Sequence, residues 1–370
     1  MQVLVNAMKD FNHYVELQSK TIDFIRFPLI IGVLFIHNAS SNFILEGQSI
    51  GTDNFLPVFH YCSTLFSQVL GRVAVPLFFF MSGFLFFLNV HTFDRYCYVN
   101  KLKRRIKTLL IPYLFWNLAT IAIFVTLSSV PQLTHLVNRT FDLNQFLFYF
   151  WDNNGLKLGY PFSYQFWFIR DLMVAVILTP VIYLFCKHYL LIGVIGILWY
   201  LGYWFNIVGF SSACIFFFSA GAYFGINKRN LLEDFGKIKI LSFVLYPLIT
   251  LVDLFTKGYV FNSFIHNSGI IIGIVFYFNF IALLFEKEKI KPMPFLSAAS
   301  FFVFAIHEPF LMTVFKRITF LLLKPVNDFA FTVLYFVNVI SVTLVALGLY
   351  YLLNRFFPKS TSFVTGGKQL

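Results

Sequence analysis

Residues 21–38 read TIDFIRFPLIIGVLFIHN. The run is close to the ~20 apolar residues that cross a hydrocarbon core as a helix. It is apolar on all sides rather than striped, as expected of a helix that faces lipid or other helices. Three residues break the pattern: Asp23, Arg26 and His37. At 3.6 residues per turn Arg26 and His37 lie nearly on one face, about 16 Å apart along the axis. Charge inside a bilayer is costly, so such residues are the first place to look for chemistry. Taken alone, the pair also fits a bland reading, with Arg26 snorkelling to an interface and His37 serving as a hydrogen-bonded structural histidine.

The rest of the chain repeats the first run. Of 370 residues 59% are hydrophobic, 53 are phenylalanine and only 12% are charged. A soluble domain is about 45–50% apolar and about 25% charged. Too little polar surface remains to cover a soluble core of this length. Disorder, a disulfide scaffold, a coiled coil and a cytosolic enzyme are thereby excluded. The fold class expected is an all-α polytopic membrane bundle of about ten transmembrane helices. The runs lie near 22–40, 70–90, 108–128, 166–186, 189–206, 210–227, 238–256, 268–286, 297–321 and 329–354. A transmembrane barrel would show short alternating segments instead.

Lysine and arginine orient the bundle, because cytoplasmic loops carry the excess. With the N-terminus inside and strict alternation, 19 basic residues fall on the cytoplasmic side, among them Lys101, Lys103, Arg104, Arg105 and Lys107. Only Arg139, Lys157, Lys257 and Lys324 fall outside. Both termini are therefore expected in the cytoplasm, with residues 1–21 an N-terminal segment, 22–354 the transmembrane domain and 355–370 a C-terminal tail. The net charge of +12 then reads as topology, not as affinity for nucleic acid. Residues 1–20 are polar and no small-residue cleavage site follows the first run, which reads as a signal anchor. The four cysteines are scattered, without metal-ligand or disulfide spacing, so no metal is expected. The sequons at Asn38 and Asn138 read as chance matches.

Four further constellations carry polar groups into the apolar runs. The second run contains Arg72 and then VPLFFFMSGF (75–84), where Ser82 and Gly83 are small residues in a wall of phenylalanine. They mark either a close helix contact or a passage for a thin substrate. A basic cluster, Arg104-Arg105-Ile106-Lys107, precedes Pro112-Tyr113-Leu114-Phe115-Trp116. It serves topology or anionic lipid, or grips the phosphates of a cytoplasmic donor. Trp167-Phe168-Ile169-Arg170-Asp171 opens the fourth run, as a neutralised anchor or as a guanidinium offered to an anion. In the ninth, Ile306-His307-Glu308-Pro309 places two titratable groups mid-span beside a proline that frees the carbonyl four residues back.

These five motifs, in this order from residue 23 to about 309, resemble the acyltransferase-3 family of integral membrane acyltransferases, of the envelope O-acetyltransferase type. The family often has a second arginine where Lys107 stands, and many members carry an added extracytoplasmic hydrolase-like domain not seen in this sequence. The resemblance implies a ten-span core in a bacterial cytoplasmic membrane. It would take an acyl group, usually acetyl, from cytoplasmic acyl-CoA and transfer it to a hydroxyl of an envelope polysaccharide or lipid-linked sugar.

Acyl transfer needs a base for the hydroxyl proton, groups that steady the oxyanion, and exclusion of water. The expected base is His37, acting directly or through an acyl-histidine, with His307 and Glu308 orienting it or the acceptor. Arg26, Arg104 and Arg105 are expected to hold the donor, Ser82 and Gly83 to leave room for its pantetheine arm, and Arg72, Arg170 and Asp171 to stabilise charge on the acceptor side. Tyr160, Tyr164 and Trp167 are candidates for stacking on sugar rings. The rival expectation is a transporter or flippase of a glycan, in which the same residues relay substrate or protons. Neither the acceptor nor the oligomeric state is legible in the sequence.

Overall fold

The computed structural model describes residues 2–39, 43–45, 48–50, 56–130, 141–153, 159–186, 189–205 and 207–367, with 2–12 and 43–50 as backbone only. Arg139, Lys157, Lys187, Lys368 and the Asn138 sequon lie outside the described residues.

The described chain is helical apart from a small antiparallel pair, Phe43–Leu45 with Gln48–Ile50. The helices are α1 (Gln2–Asn38), α2 (Pro57–Phe87), α3 (Arg95–Ser128), α4 (Tyr164–Ile177), α5 (Thr179–Phe185), α6 (Tyr189–Tyr200) and α7 (Ser212–Ile226). After them come α8 (Leu231–Gly236), α9 (Lys239–Phe255), α10 (Asn262–Glu286), α11 (Pro294–Leu323), α12 (Asp328–Phe356) and α13 (Pro358–Val364). Their starts are written locally. Pro57 and Pro294 stand in the first turns of α2 and α11, where a missing N–H costs nothing. Asp94 caps α3 by accepting from the Cys97 N–H at 2.7 Å, and Asn327 caps α12 through the Ala330 N–H at 2.8 Å. Such caps are each worth about 1 kcal/mol.

Nine of the ten apolar runs fall on one helix each and the fourth on two, but the helices are not ten equal spans. Among the described residues α2, α3, α10, α11 and α12 are long and apolar enough to cross a membrane. The pair α4 and α5 makes a sixth only if counted together across a 66° bend. The bend sits at Pro180, which cannot donate to the Val176 carbonyl four residues back; the Thr179 hydroxyl takes that carbonyl instead, at 2.7 Å. The twelve-residue α6 spans about 18 Å at ~1.5 Å per residue, well short of a hydrocarbon core of about 30 Å. Helix boundaries also differ. The second and third apolar runs start near 70 and 108, whereas α2 begins at Pro57 and α3 at Arg95. The basic cluster thus stands on a helix rather than in a loop.

Helix α1 packs against α2, α10, α11 and α12 and forms the centre of the bundle. The tightest pairing is α2 on α7. A side-chain carbon at Gly83 would lie 2.0 Å from the Phe218 carbonyl oxygen, and one at Gly221 would lie 1.9 Å from that of Phe80. Small residues in membrane helices permit this approach of backbones. At the far end of α2, Asp328 accepts from the Val58 and Phe59 N–H groups, both at 2.8 Å, and ties α12 to its first turn. Outside the spans, Arg229 and Lys237 hold Asp234 at 2.6 and 2.8 Å. The Arg229 hydrogen bond drives that carboxyl down to about 2.

Candidate functional site

A cavity of about 320 Å³ runs along α1 between α2, α3, α4 and α11. Arg26 and Arg105 line one end and His37 the other, with Ser82, Gln165, Ser297 and Ser300 among its walls. The rest of its lining is largely aromatic and aliphatic, including Phe78, Trp167, Phe168, Phe301 and Phe304. At the Arg26 end it adjoins a second cavity of about 410 Å³, which shares Arg26, Ser297 and Ala298 and adds Lys20 and Asp23. The one-face placement of Arg26 and His37 on a helix is what joins the two ends. Arg26 pairs with Asp23 at 3.3 Å across a largely exposed carboxylate, so its guanidinium is not consumed there.

At the His37 end three helices converge, α1, α4 and α11. The rings of His37 and His307 are 5.0 Å apart between centroids. The His37 Nδ1 lies 3.2 Å from the Tyr164 hydroxyl, which also reaches the Glu308 carboxylate. Lys316 Nζ donates to the His37 carbonyl at 2.9 Å and faces Glu308 electrostatically. His307 is fully buried, and its Nδ1 lies 2.6 Å from the Phe304 carbonyl. A carbonyl only accepts, so Nδ1 carries the proton and Nε2 keeps its lone pair. That Nε2 is buried without a protein partner.

Helix α11 is broken to make this cluster. Glu308 has extended backbone angles (φ −126°, ψ 155°) inside an otherwise helical stretch. Pro309 leaves the Ala305 carbonyl without its helical donor, as expected for a proline four residues on. The buried Gln165 side chain supplies the replacement, donating from Nε2 to the Glu308 carbonyl at 2.6 Å and reaching that of Ala305 at 3.4 Å. Its Oε1 is left buried without a partner on the cavity wall.

Other sequence-derived residues are placed elsewhere. Gly83 does not line the cavity. Its open side is filled by the Phe218 backbone, which makes it a helix contact while its neighbour Ser82 faces the space. Arg104 is exposed and off the cavity, since consecutive residues of a helix point about 100° apart; Arg105 takes the lining position and lies 5.8 Å over the Phe86 ring. Arg72 is exposed, within electrostatic reach of His37 and Tyr160. Arg170 and Asp171 are 3% and 2% exposed and satisfy each other through Nε at 3.0 Å and Nη2 at 2.8 Å. The Arg170 Nη1 donates to the Trp151 and Gly159 carbonyls, both at 2.6 Å, and so holds the segment before α4 onto that helix.

Gln165 and Lys316 were not singled out from the sequence as site residues, and Tyr164 only as a sugar-stacking candidate. Gln165 sits just ahead of a motif, and its only sequence signal is that the carbonyl freed by Pro309 needs a donor. Lys316 could have been found as a basic residue two turns past His307 in an apolar run. Among the described residues no group of three His, Cys, Asp or Glu is placed to hold a metal ion.

A family model described as an acyltransferase domain matches residues 19–355. The chain belongs to the acyltransferase-3 family. The match takes in every residue of the cavity lining except Thr365 and Gly366. The family makes the protein a membrane acyltransferase. The chain is also 24% identical over 316 residues to the succinoglycan biosynthesis protein ExoH of Rhizobium meliloti (strain 1021), covering 80% of this chain and 79% of that relative. No solved structure matches.

Proposed function

We propose that this acyltransferase moves an acyl group, acetyl in the first instance, from cytoplasmic acyl-CoA to a hydroxyl of an envelope polysaccharide or its lipid-linked precursor. The observation that carries the reading is the single cavity with arginines at one end and His37 at the other. An elongated anionic donor suits that shape. Its phosphates would stay with Arg26 and Arg105 on the cytoplasmic side, and its thin pantetheine arm would lie in the apolar middle with the thioester beneath His37. The relationship to a succinoglycan biosynthesis protein supports a polysaccharide acceptor. In this reading the core makes ten crossings of the cytoplasmic membrane, the short helices α6 and α7 included, and both termini are cytoplasmic.

The chemistry follows from the His37 cluster. With Glu308 ionised beside Lys316, the Tyr164 hydroxyl donates to Glu308 and accepts from the His37 Nδ1–H. That fixes the His37 tautomer and leaves Nε2 as the base. The acceptor oxygen attacks the thioester carbonyl while its proton passes to Nε2. The resulting oxyanion is steadied by the positive charge of Lys316 and, from the exposed side, by that of Arg72. Collapse breaks the C–S bond, and the imidazolium returns the proton to the leaving thiolate. One ester and one thiol are formed from one thioester and one alcohol. An acyl-histidine is the two-step variant of the same bond changes.

The test is incubation of the purified protein with radiolabelled acetyl-CoA and a panel of envelope glycans. Label transferred to a glycan, with equimolar CoA release, is the expected result. Glycan moved across proteoliposomes with no label incorporated would replace this reading by the transporter.

A further inference from the structure

The C-terminal segment reads as a free tail, yet it is folded against the Arg26 end of the cavity. Helix α12 ends at Phe356, and α13 turns back to pack on α12 and α3. The Trp116 indole N–H donates to the Val364 carbonyl at 2.9 Å, and Thr361, Thr365 and Gly366 are buried. Gly366 sits at φ +80° in backbone contact with α3; a side-chain carbon there would lie 2.6 Å from the Thr108 carbonyl oxygen. Thr365 and Gly366 line the cavity beside Arg105 and Thr108. The Thr108 hydroxyl oxygen is buried with no protein partner, and a polar atom in that state is costly until something bonds to it. The segment lies beyond residue 355, where the family match ends.

We propose that residues 358–367 form a wall of the donor site. They narrow its cytoplasmic mouth around the phosphopantetheine arm of acyl-CoA and press that arm towards the Thr108 hydroxyl. This rests on the donor reading given above. The glycine is required because any larger residue would drive the wall off α3. The wall adds nothing at the His37 end, so it governs donor binding and not the acceptor.

The experiment is calorimetric titration of CoA into three purified proteins: the intact chain, a chain ending at Phe357, and Gly366→Val, which displaces the wall while α13 is retained. Acceptor KM is measured on the same preparations at saturating acetyl-CoA. Both variants are expected to bind CoA at least tenfold more weakly, with acceptor KM unchanged within twofold. If the shortened chain does not fold, Gly366→Val alone decides. CoA affinity within twofold of the intact chain, or tighter, overturns the proposal, the tighter case making the segment a plug. An intact chain that fails to bind CoA at all brings down the donor reading itself, and this inference with it.

Discussion

The Arg170–Asp171 pair and the His37 cluster both lie buried in the bundle, and they differ in what is left over. At Arg170–Asp171 almost nothing is. Four guanidinium donors are spent, two on the carboxylate and two on the carbonyls of Trp151 and Gly159. At His37 the reverse holds. His37 and Gln165 line the cavity, the buried Nε2 of His307 has no protein partner, and Gln165 leaves its Oε1 unbonded. Both contain charge where charge is costly, and both were legible as candidate sites in the sequence. A saturated pair holds a loop to a helix; a cluster with open valences beside a cavity can bind and react.

The contrast can be broken by mutation. His37→Ala should lower kcat/KM for acetyl transfer by about 10²–10⁴-fold, the usual worth of a general base. Its thermal unfolding midpoint should stay close to that of the parent. Wild-type turnover in the purified variant would remove His37 from the reaction. Arg170→Ala should do the opposite: a loss of stability of about 3–5 kcal/mol, because Asp171 would be left buried and unpaired. It is read as a fall in the unfolding midpoint in detergent, and a variant as stable as the parent but catalytically dead would move Arg170 into the chemistry. Tyr164→Phe is the finest probe. It keeps the ring beside His37 and removes the hydroxyl's two hydrogen bonds, to His37 and to Glu308, together worth about 1–3 kcal/mol, so kcat should fall roughly 5–100-fold with both KM values unchanged. A rise in acceptor KM instead would return Tyr164 to the sugar-stacking role its position in the sequence invited.

Arg26 and His37 were readable as a pair because both stand on one uninterrupted helix, whose periodicity fixes their relation without any tertiary information. His307 and Glu308 were readable because titratable residues in an apolar run are rare. The roles of Ser82 and Gly83, and of Arg104 and Arg105, were not separable. Neighbouring residues on a helix point apart, and which of them faces the cavity depends on how α2 lies on α7 and α3 on α4. The helix boundaries were not legible for a related reason. Hydropathy reports apolar length, whereas the bend at Pro180 and the early starts of α2 and α3 are settled by prolines, caps and packing.

By itself, then, the sequence determined the solvent of this protein, its helical class, its family and the axial distance between Arg26 and His37. Those follow from composition and from contacts along one helix. Only the tertiary structure decided that Tyr164, Gln165 and Lys316 complete the His37 end, that Arg170 and Asp171 are consumed by each other and by a loop, and that Thr365 and Gly366, just past the last helix, line the opposite end of the cavity. Each of these depends on side chains far apart in the chain being brought within hydrogen-bonding distance, and no local pattern encodes that.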